Sequence, residues 1–174
     1  MAQPVYFDTS IFLEILSKNS KHAAQLKELI QELKREKIRI YTSILTIQEA
    51  NVFTFRRGKV AYDNHAEISK LCRIYGMDKL IALTAAKREA EIRDKFNEKP
   101  DESEAKQRRR WDCIHIATAQ VLECSRLFTT DPGMMARKKQ LSLDGIEIIP
   151  PRVTAPQLNF SPNAIALVSP FIPK

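Results

Sequence analysis

Short apolar runs rich in β-forming residues alternate with longer segments of helical period along most of this chain. That alternation restricts the fold more than any other feature. Parallel strands need long crossover connections, which helices supply. The expected fold class is therefore α/β, a three-layer α/β/α sandwich with a central parallel sheet. Val5-Tyr6-Phe7 reads as the first strand, with Asp8 at its carboxyl end and Ser10 as N-cap of a short helix from Ile11 to Ser17. Ser20 is expected to cap a longer helix, Lys21 to Lys37, in which Leu26, Leu29, Ile30 and Leu33 recur on one face. Ile38 to Tyr41 reads as the second strand. Ser43 then caps a helix running to Arg57, with Gly58 as its stop.

Residues 60–75 read as a further helix ending at Gly76, Lys79 to Leu83 as a short strand, and Thr84 to Asn97 as a charged helix. A loop at 99–103 precedes a helix that begins at Glu104 and turns apolar after Trp111. Arg126 to Thr130 is expected to form a strand closed by the turn Asp131-Pro132-Gly133. A short helix, Met134 to Lys139, and a last strand, Ile146 to Ile149, complete a domain expected to span residues 1–149. The remainder, 150–174, holds six prolines and no acid, so it continues neither a helix nor a central strand. Its Phe160, Ile165, Leu167, Val168, Phe171 and Ile172 are too apolar for a solvated tail. Two readings stand for it: a disordered proline-rich tail, or, favoured by those apolar residues, an extension packed on the domain's own surface or on a second subunit.

A chain of 174 residues suits one domain with a sizeable core. Its net charge of +7 favours a polyanionic partner, nucleic acid before membrane. Three cysteines without a C-x-x-C pair argue against a disulfide framework or a zinc site and for reduced thiols in a cytoplasmic protein. No signal peptide is expected, and no stretch approaches the roughly 20 apolar residues of a membrane span.

Four acids occupy positions where chemistry is expected. Asp8 and Asp131 each follow a strand. Glu49 lies nearly two turns into the helix after the second strand, and Asp112 begins the apolar half of a later helix. In a parallel sheet Asp8 and Asp131 emerge at one edge, and right-handed winding can bring the helices of Glu49 and Asp112 there too. Clustered carboxylates repel unless a cation neutralises them, and hard oxygen ligands suit Mg²⁺ or Mn²⁺. Read singly, each acid fits a turn or a solvated face equally well, since the chain has 21 acidic residues.

Asp8-Thr9-Ser10 after an apolar strand resembles the opening of a PIN domain. Ser43-Ile44-Leu45-Thr46-Ile47-Gln48-Glu49 is similar to that family's second block. Asp112-Cys113-Ile114-His115-Ile116-Ala117-Thr118-Ala119 is similar to its third, and Leu127-Phe128-Thr129-Thr130-Asp131 to its fourth. The four blocks stand in the family's order. The resemblance implies Mg²⁺- or Mn²⁺-dependent ribonuclease activity, with Asp8, Glu49, Asp112 and Asp131 as catalytic metal ligands. Thr9, Ser10, Thr129 and Thr130 are the supporting polar groups. Many bacterial and archaeal members are the toxin half of VapBC-type toxin–antitoxin pairs, so the resemblance implies RNA as a partner and leaves open an antitoxin and a second copy. The stretch from Val60 to Gln107 is long for a compact toxin, and the proline-rich tail has no counterpart in the pattern.

Arg108, Arg109 and Arg110 precede Asp112, and Arg56 and Arg57 close the helix of Glu49. These are the candidate RNA-binding cations, against a reading as solvated helix faces and helix ends. Arg137, Lys138 and Lys139 extend the same basic rim. His115, three residues after Asp112, is expected to pack beside the sheet with one ring nitrogen satisfied; the rival reading makes it a proton carrier. Trp111 is expected against the sheet. Two rival functions remain. One is a catalytically silent PIN-like module that binds RNA or protein. The other is a phosphatase of the haloacid-dehalogenase kind, which wants a second Asp where Ser10 stands.

Overall fold

The computed structural model describes residues 2–17, 20–56, 62–96, 104–141, 143 and 145–151. Its five strands form one sheet, all neighbours parallel, in the order β3-β2-β1-β4-β5. They are β1 (Val5–Phe7), β2 (Ile40–Ser43), β3 (Arg73–Tyr75), β4 (Arg126–Phe128) and β5 (Glu147–Ile149). The crossovers are α1 (Thr9–Leu16), α2 (Ala23–Arg35), α3 (Ile44–Phe55), α4 (Tyr62–Leu71), α5 (Lys79–Phe96), α6 (Glu104–Val121) and α7 (Pro132–Gln140). The three-layer expectation holds.

Strand periodicity divides the core in two. Val5, Phe7 and Phe128 point to one face and meet Phe12, Leu26, Leu29, Leu33 and Ile68 of α1, α2 and α4. Tyr6, Leu127 and Ile148 point to the other and meet Ile81, Ile92, Ile116 and Met134 of α5, α6 and α7. β1 lies centrally: the chain first builds outward through β2 and β3, then returns to add β4 and β5 on the other side. The strand order therefore reverses between β1 and β4. A crevice for ligands opens beyond the carboxyl ends of strands at such a reversal. Among the described residues no helix is long and apolar enough to cross a membrane. All three cysteines are free thiols.

Several boundaries differ from expectation. Ser10 is not an N-cap: Asp8, with extended backbone, takes that place and Ser10 lies inside α1. Ser20 does not cap α2 either, because His22 stands at the N-cap. Ser20 instead accepts the His22 N–H and donates to Glu14. β2 starts two residues later than expected. Lys37 takes a positive φ of 55° to close α2, and the Ile38 N–H caps that helix end on Leu33 O. The largest correction lies at residues 60–83. The expected helix stops at Leu71, and Arg73–Tyr75 is the edge strand instead. Lys79 to Leu83 is not a strand but the first turns of α5. Asp78 Oδ1 accepts the Ile81 N–H at 2.9 Å and caps that helix, while Ile81, Ala85 and Ile92 share its buried face. The loop at 99–103, Gly58 and the tail from Arg152 lie outside the described residues.

Candidate active site

The site is built at the β1/β4 crevice. Thr129, just beyond β4, donates its hydroxyl to Asp8 Oδ2 at 2.8 Å, and the Ser10 hydroxyl donates to the same oxygen at 3.0 Å. Ser10 Oγ accepts the Thr130 N–H at 2.9 Å, and Thr129 Oγ1 accepts the Asp131 N–H at 3.0 Å. These bonds tie the start of α1 to the segment after β4 and leave Asp8 Oδ1 facing α6. Both Asp8 and Thr129 are buried.

Alternation along β1 sends Tyr6 toward α6 as well, since it shares a face with Asp8. Asp112 and His115 stand three apart on α6, so they lie on one helix face. His115 Nε2 is 3.0 Å from Glu49 Oε2 and 3.7 Å from Asp8 Oδ1, while Nδ1 is 2.7 Å from the Tyr6 hydroxyl. With Nε2–H donating to the carboxylate, Nδ1 is left to accept the tyrosine proton, an assignment made from these partners. Glu49 also accepts a bond from the Thr9 hydroxyl. A chain of hydroxyls supports this side: Thr46 lies 2.7 Å from Thr42, whose hydroxyl donates to Phe7 O at 2.8 Å. His115 therefore does pack beside the sheet, fully buried, but both of its ring nitrogens have partners and one is an acid of the candidate set.

The two remaining acids carry partners of their own. Asp112 Oδ2 accepts from Arg137 Nε at 3.0 Å, and Asp131 Oδ1 caps α7 by accepting the Gly133 N–H at 2.8 Å. Burial, more than any neighbouring charge, lifts the Asp112 carboxyl to about 6. Arg137 opposes that rise, and the negative charges of Asp131 and Asp8 add to it. Three of the four acids thus share one field. At His115 burial works to lower the pKa, but the bond to Glu49 and the charge of Asp8 outweigh it and hold the ring above its ordinary value. Burial pushes the Tyr6 hydroxyl well up, and the Asp8 charge adds to this.

Carboxylate and hydroxyl oxygens are the donor type a hard divalent cation prefers. Their positions do not make a finished cup: among the described residues no three His, Cys, Asp or Glu side chains converge closely enough to hold a metal ion. Arg137, His115 and the Gly133 amide instead partner Asp112, Glu49 and Asp131.

The expected RNA-binding cations divide. Arg56, Arg108 and Arg110 are exposed, Arg109 is buried, and Arg57 lies outside the described residues. Arg110 also reaches Glu89 at 3.3 Å. Trp111 is half-buried. Sequence reasoning missed Arg137 as the partner of Asp112 and the Thr42–Thr46 support. The Arg137 pairing has no spacing signal, since it depends on how α6 and α7 pack, whereas Thr42 and Thr46 stand four apart across the junction of β2 and α3.

The PIN domain family model matches residues 5–141, which covers all four acids. The chain belongs to the PIN domain family. Solved structures with the same PIN fold include the toxin VapC20 of Mycobacterium tuberculosis, described as cleaving the sarcin-ricin loop. It is 14% identical with a TM-score of 0.54, over 76% of this chain and 94% of that one. VapBC2 of Rickettsia felis, bound to a promoter DNA fragment, is 13% identical with a TM-score of 0.59, over 83% and 97%. VapBC-1 of nontypeable Haemophilus influenzae is 16% identical with a TM-score of 0.54, over 83% and 96%. Comparison with curated protein sequences returns no match. At these identities the likeness to solved structures extends to the fold alone.

Proposed function

We propose that this PIN domain is a Mg²⁺- or Mn²⁺-dependent endoribonuclease, the toxin of a toxin–antitoxin pair acting in the cytoplasm. The observation that carries the reading is the junction of Asp8, Ser10 and Thr129 at the β1/β4 crevice, with Asp112 and Asp131 within its field. VapC20, a relative in fold, is described as a cleaving toxin, and the Rickettsia and Haemophilus structures are of VapBC pairs.

In this reading the oxygen of a water forms a bond to phosphorus while the bond from phosphorus to the 3′ oxygen breaks. The departing oxygen takes a proton, and the products are a 5′-phosphate and a 3′-hydroxyl. Asp8, Asp112 and Asp131, with Glu49 beside them, would hold a divalent cation once Arg137 leaves Asp112, and the ion would supply Lewis-acid chemistry there. The chain's own residues prepare the crevice. Ser10 and Thr129 fix one oxygen of Asp8, so the other is presented in a single direction. His115 fixes Glu49 and holds a proton at Nε2. Exposed Arg56, Arg108 and Arg110, with Arg57, attract the RNA backbone. A homodimer and an antitoxin complete the expected partners.

Asp8→Asn and Asp112→Asn should each lower RNA cleavage in Mn²⁺ by at least about a hundredfold while the circular dichroism spectrum stays native. Either variant cutting at the wild-type rate refutes the assignment. A second reading, a silent binding module, is favoured by Arg137, which neutralises Asp112 without a metal, and by His115, which occupies Glu49 through a hydrogen bond. Metal-independent RNA binding with no turnover in Mn²⁺ would select it.

A further inference from the structure

A cavity of about 560 Å³ opens beside the acids, over the carboxyl ends of β4 and β5. Its volume lies within the roughly 300–1,000 Å³ of small-molecule sites, enough for one nucleotide. His22 and Gln25 of α2 form one wall, Met135 of α7 another, and Pro150 and Pro151 a third. Thr129 and Thr130 line it too, and Thr129 is the residue that donates to Asp8. The cavity is thus one side chain away from the acid crevice.

Its lining selects among the parts of a nucleotide. Among the described residues it has no Lys, Arg, Asp or Glu, so nothing there pairs with a phosphate. Proline rings and the methionine present apolar faces, and His22 presents a flat ring whose Nδ1 lies 3.4 Å from Gln25 Oε1. Gln25 and Thr130 add donors and acceptors at the edge. A flat heterocycle with apolar faces and polar edges fits this lining better than a charged group does. A base paired in a duplex cannot enter, because its edge and faces are already occupied.

We infer that this cavity seats one unpaired nucleobase adjacent to the phosphate to be cut, with His22 as its stacking face. The inference rests on the ribonuclease reading for the identity of the strand. It is tested without cleavage. Binding of the full chain is measured by fluorescence anisotropy in EDTA to labelled RNA strands of two kinds. One is wholly abasic, and the other is the same strand carrying a single base, each of the four bases in turn. The two present equal phosphate charge, and the single base can slide into register with the cavity.

Wild type should bind the best one-base strand about tenfold more tightly than the abasic strand, as expected for one stacked base. His22→Ala should erase that preference and His22→Phe should restore it. His22 makes no side-chain cap bond to α2, so both variants should fold. Equal binding of the two strands by wild type would overturn the inference and leave the cavity to a protein side chain. A preference that survives His22→Ala would overturn it as well. Cleavage is scored separately in Mn²⁺. Base preference without cleavage keeps the cavity and sinks the ribonuclease, and cleavage without base preference does the reverse.

Discussion

His115 joins residues 109 and 66 positions away, Tyr6 on the central strand and Glu49 on α3. Leucine at 115 would take one partner from the buried Tyr6 hydroxyl, which also meets Thr42 and Ser43, and cost Glu49 one of its bonds. The expected loss is about 2–3 kcal/mol in urea unfolding, against about 1 kcal/mol for Tyr6→Phe, which removes the hydroxyl but keeps the His115 bond to Glu49. A loss below the Tyr6→Phe value would show that the network contributes little. Asp112 gives a second prediction, in metal-free buffer. Its carboxyl is raised to about 6, so the folded chain holds this proton more tightly than the unfolded chain does. The associated stability is fully present below the unfolded value and is lost as pH rises through about 6. The contribution is on the order of 3 kcal/mol. Asp112→Asn should lack that slope and should melt higher than wild type at pH 8; a lower melting point would show that the Arg137 pair outweighs burial. The places of Asp8, Glu49, Asp112 and Asp131 in the fold were readable, because each stands at a strand end or on a helix within an ordered block. The Arg137 and His115 pairings were not, since no local spacing encodes a contact between separate helices or between a helix and a strand.

At the scale of elements, Asp131 does two jobs that a substitution can separate. It caps α7, where Pro132 suits the first helical position, and it adds to the field on Asp112. Asp131→Ala should cost about 1 kcal/mol through loss of the cap, whereas Asp131→Asn keeps a capping oxygen and should cost much less. Both should impair cleavage alike if the charge is what the chemistry needs. Unequal cleavage, with Asn active, would assign Asp131 to capping alone. The misread segment at 73–83 shows what local pattern lacks. Lys79-Leu80-Ile81-Ala82-Leu83 is as apolar as a buried strand, and only length and the Asp78 cap decide for a helix. Arg73–Tyr75 has three residues, two of them exposed, and becomes a strand through pairing with β2. Such an edge strand carries little signal of its own.

For the whole molecule, the parallel sheet and its three layers were legible from the alternation of elements. The placement of β1 between β2 and β4 was not, because connection lengths do not say on which side a returning strand adds. That placement makes the crevice. A chain of charge +7 around an acidic crevice should bind RNA with an affinity that falls steeply as salt rises, through released counterions. The acids should meanwhile take up a divalent ion, displacing Arg137 from Asp112. Mass action then raises stability by about 2.7 kcal/mol when Mn²⁺ reaches a hundred times its dissociation constant. The most direct test is a crystal of the full chain soaked in Mn²⁺ and measured at the manganese absorption edge. An anomalous peak between Asp8, Asp112 and Asp131 is expected, with the Arg137 side chain turned away. A fully soaked crystal without a peak there, Arg137 still on Asp112, would contradict the proposed metal site.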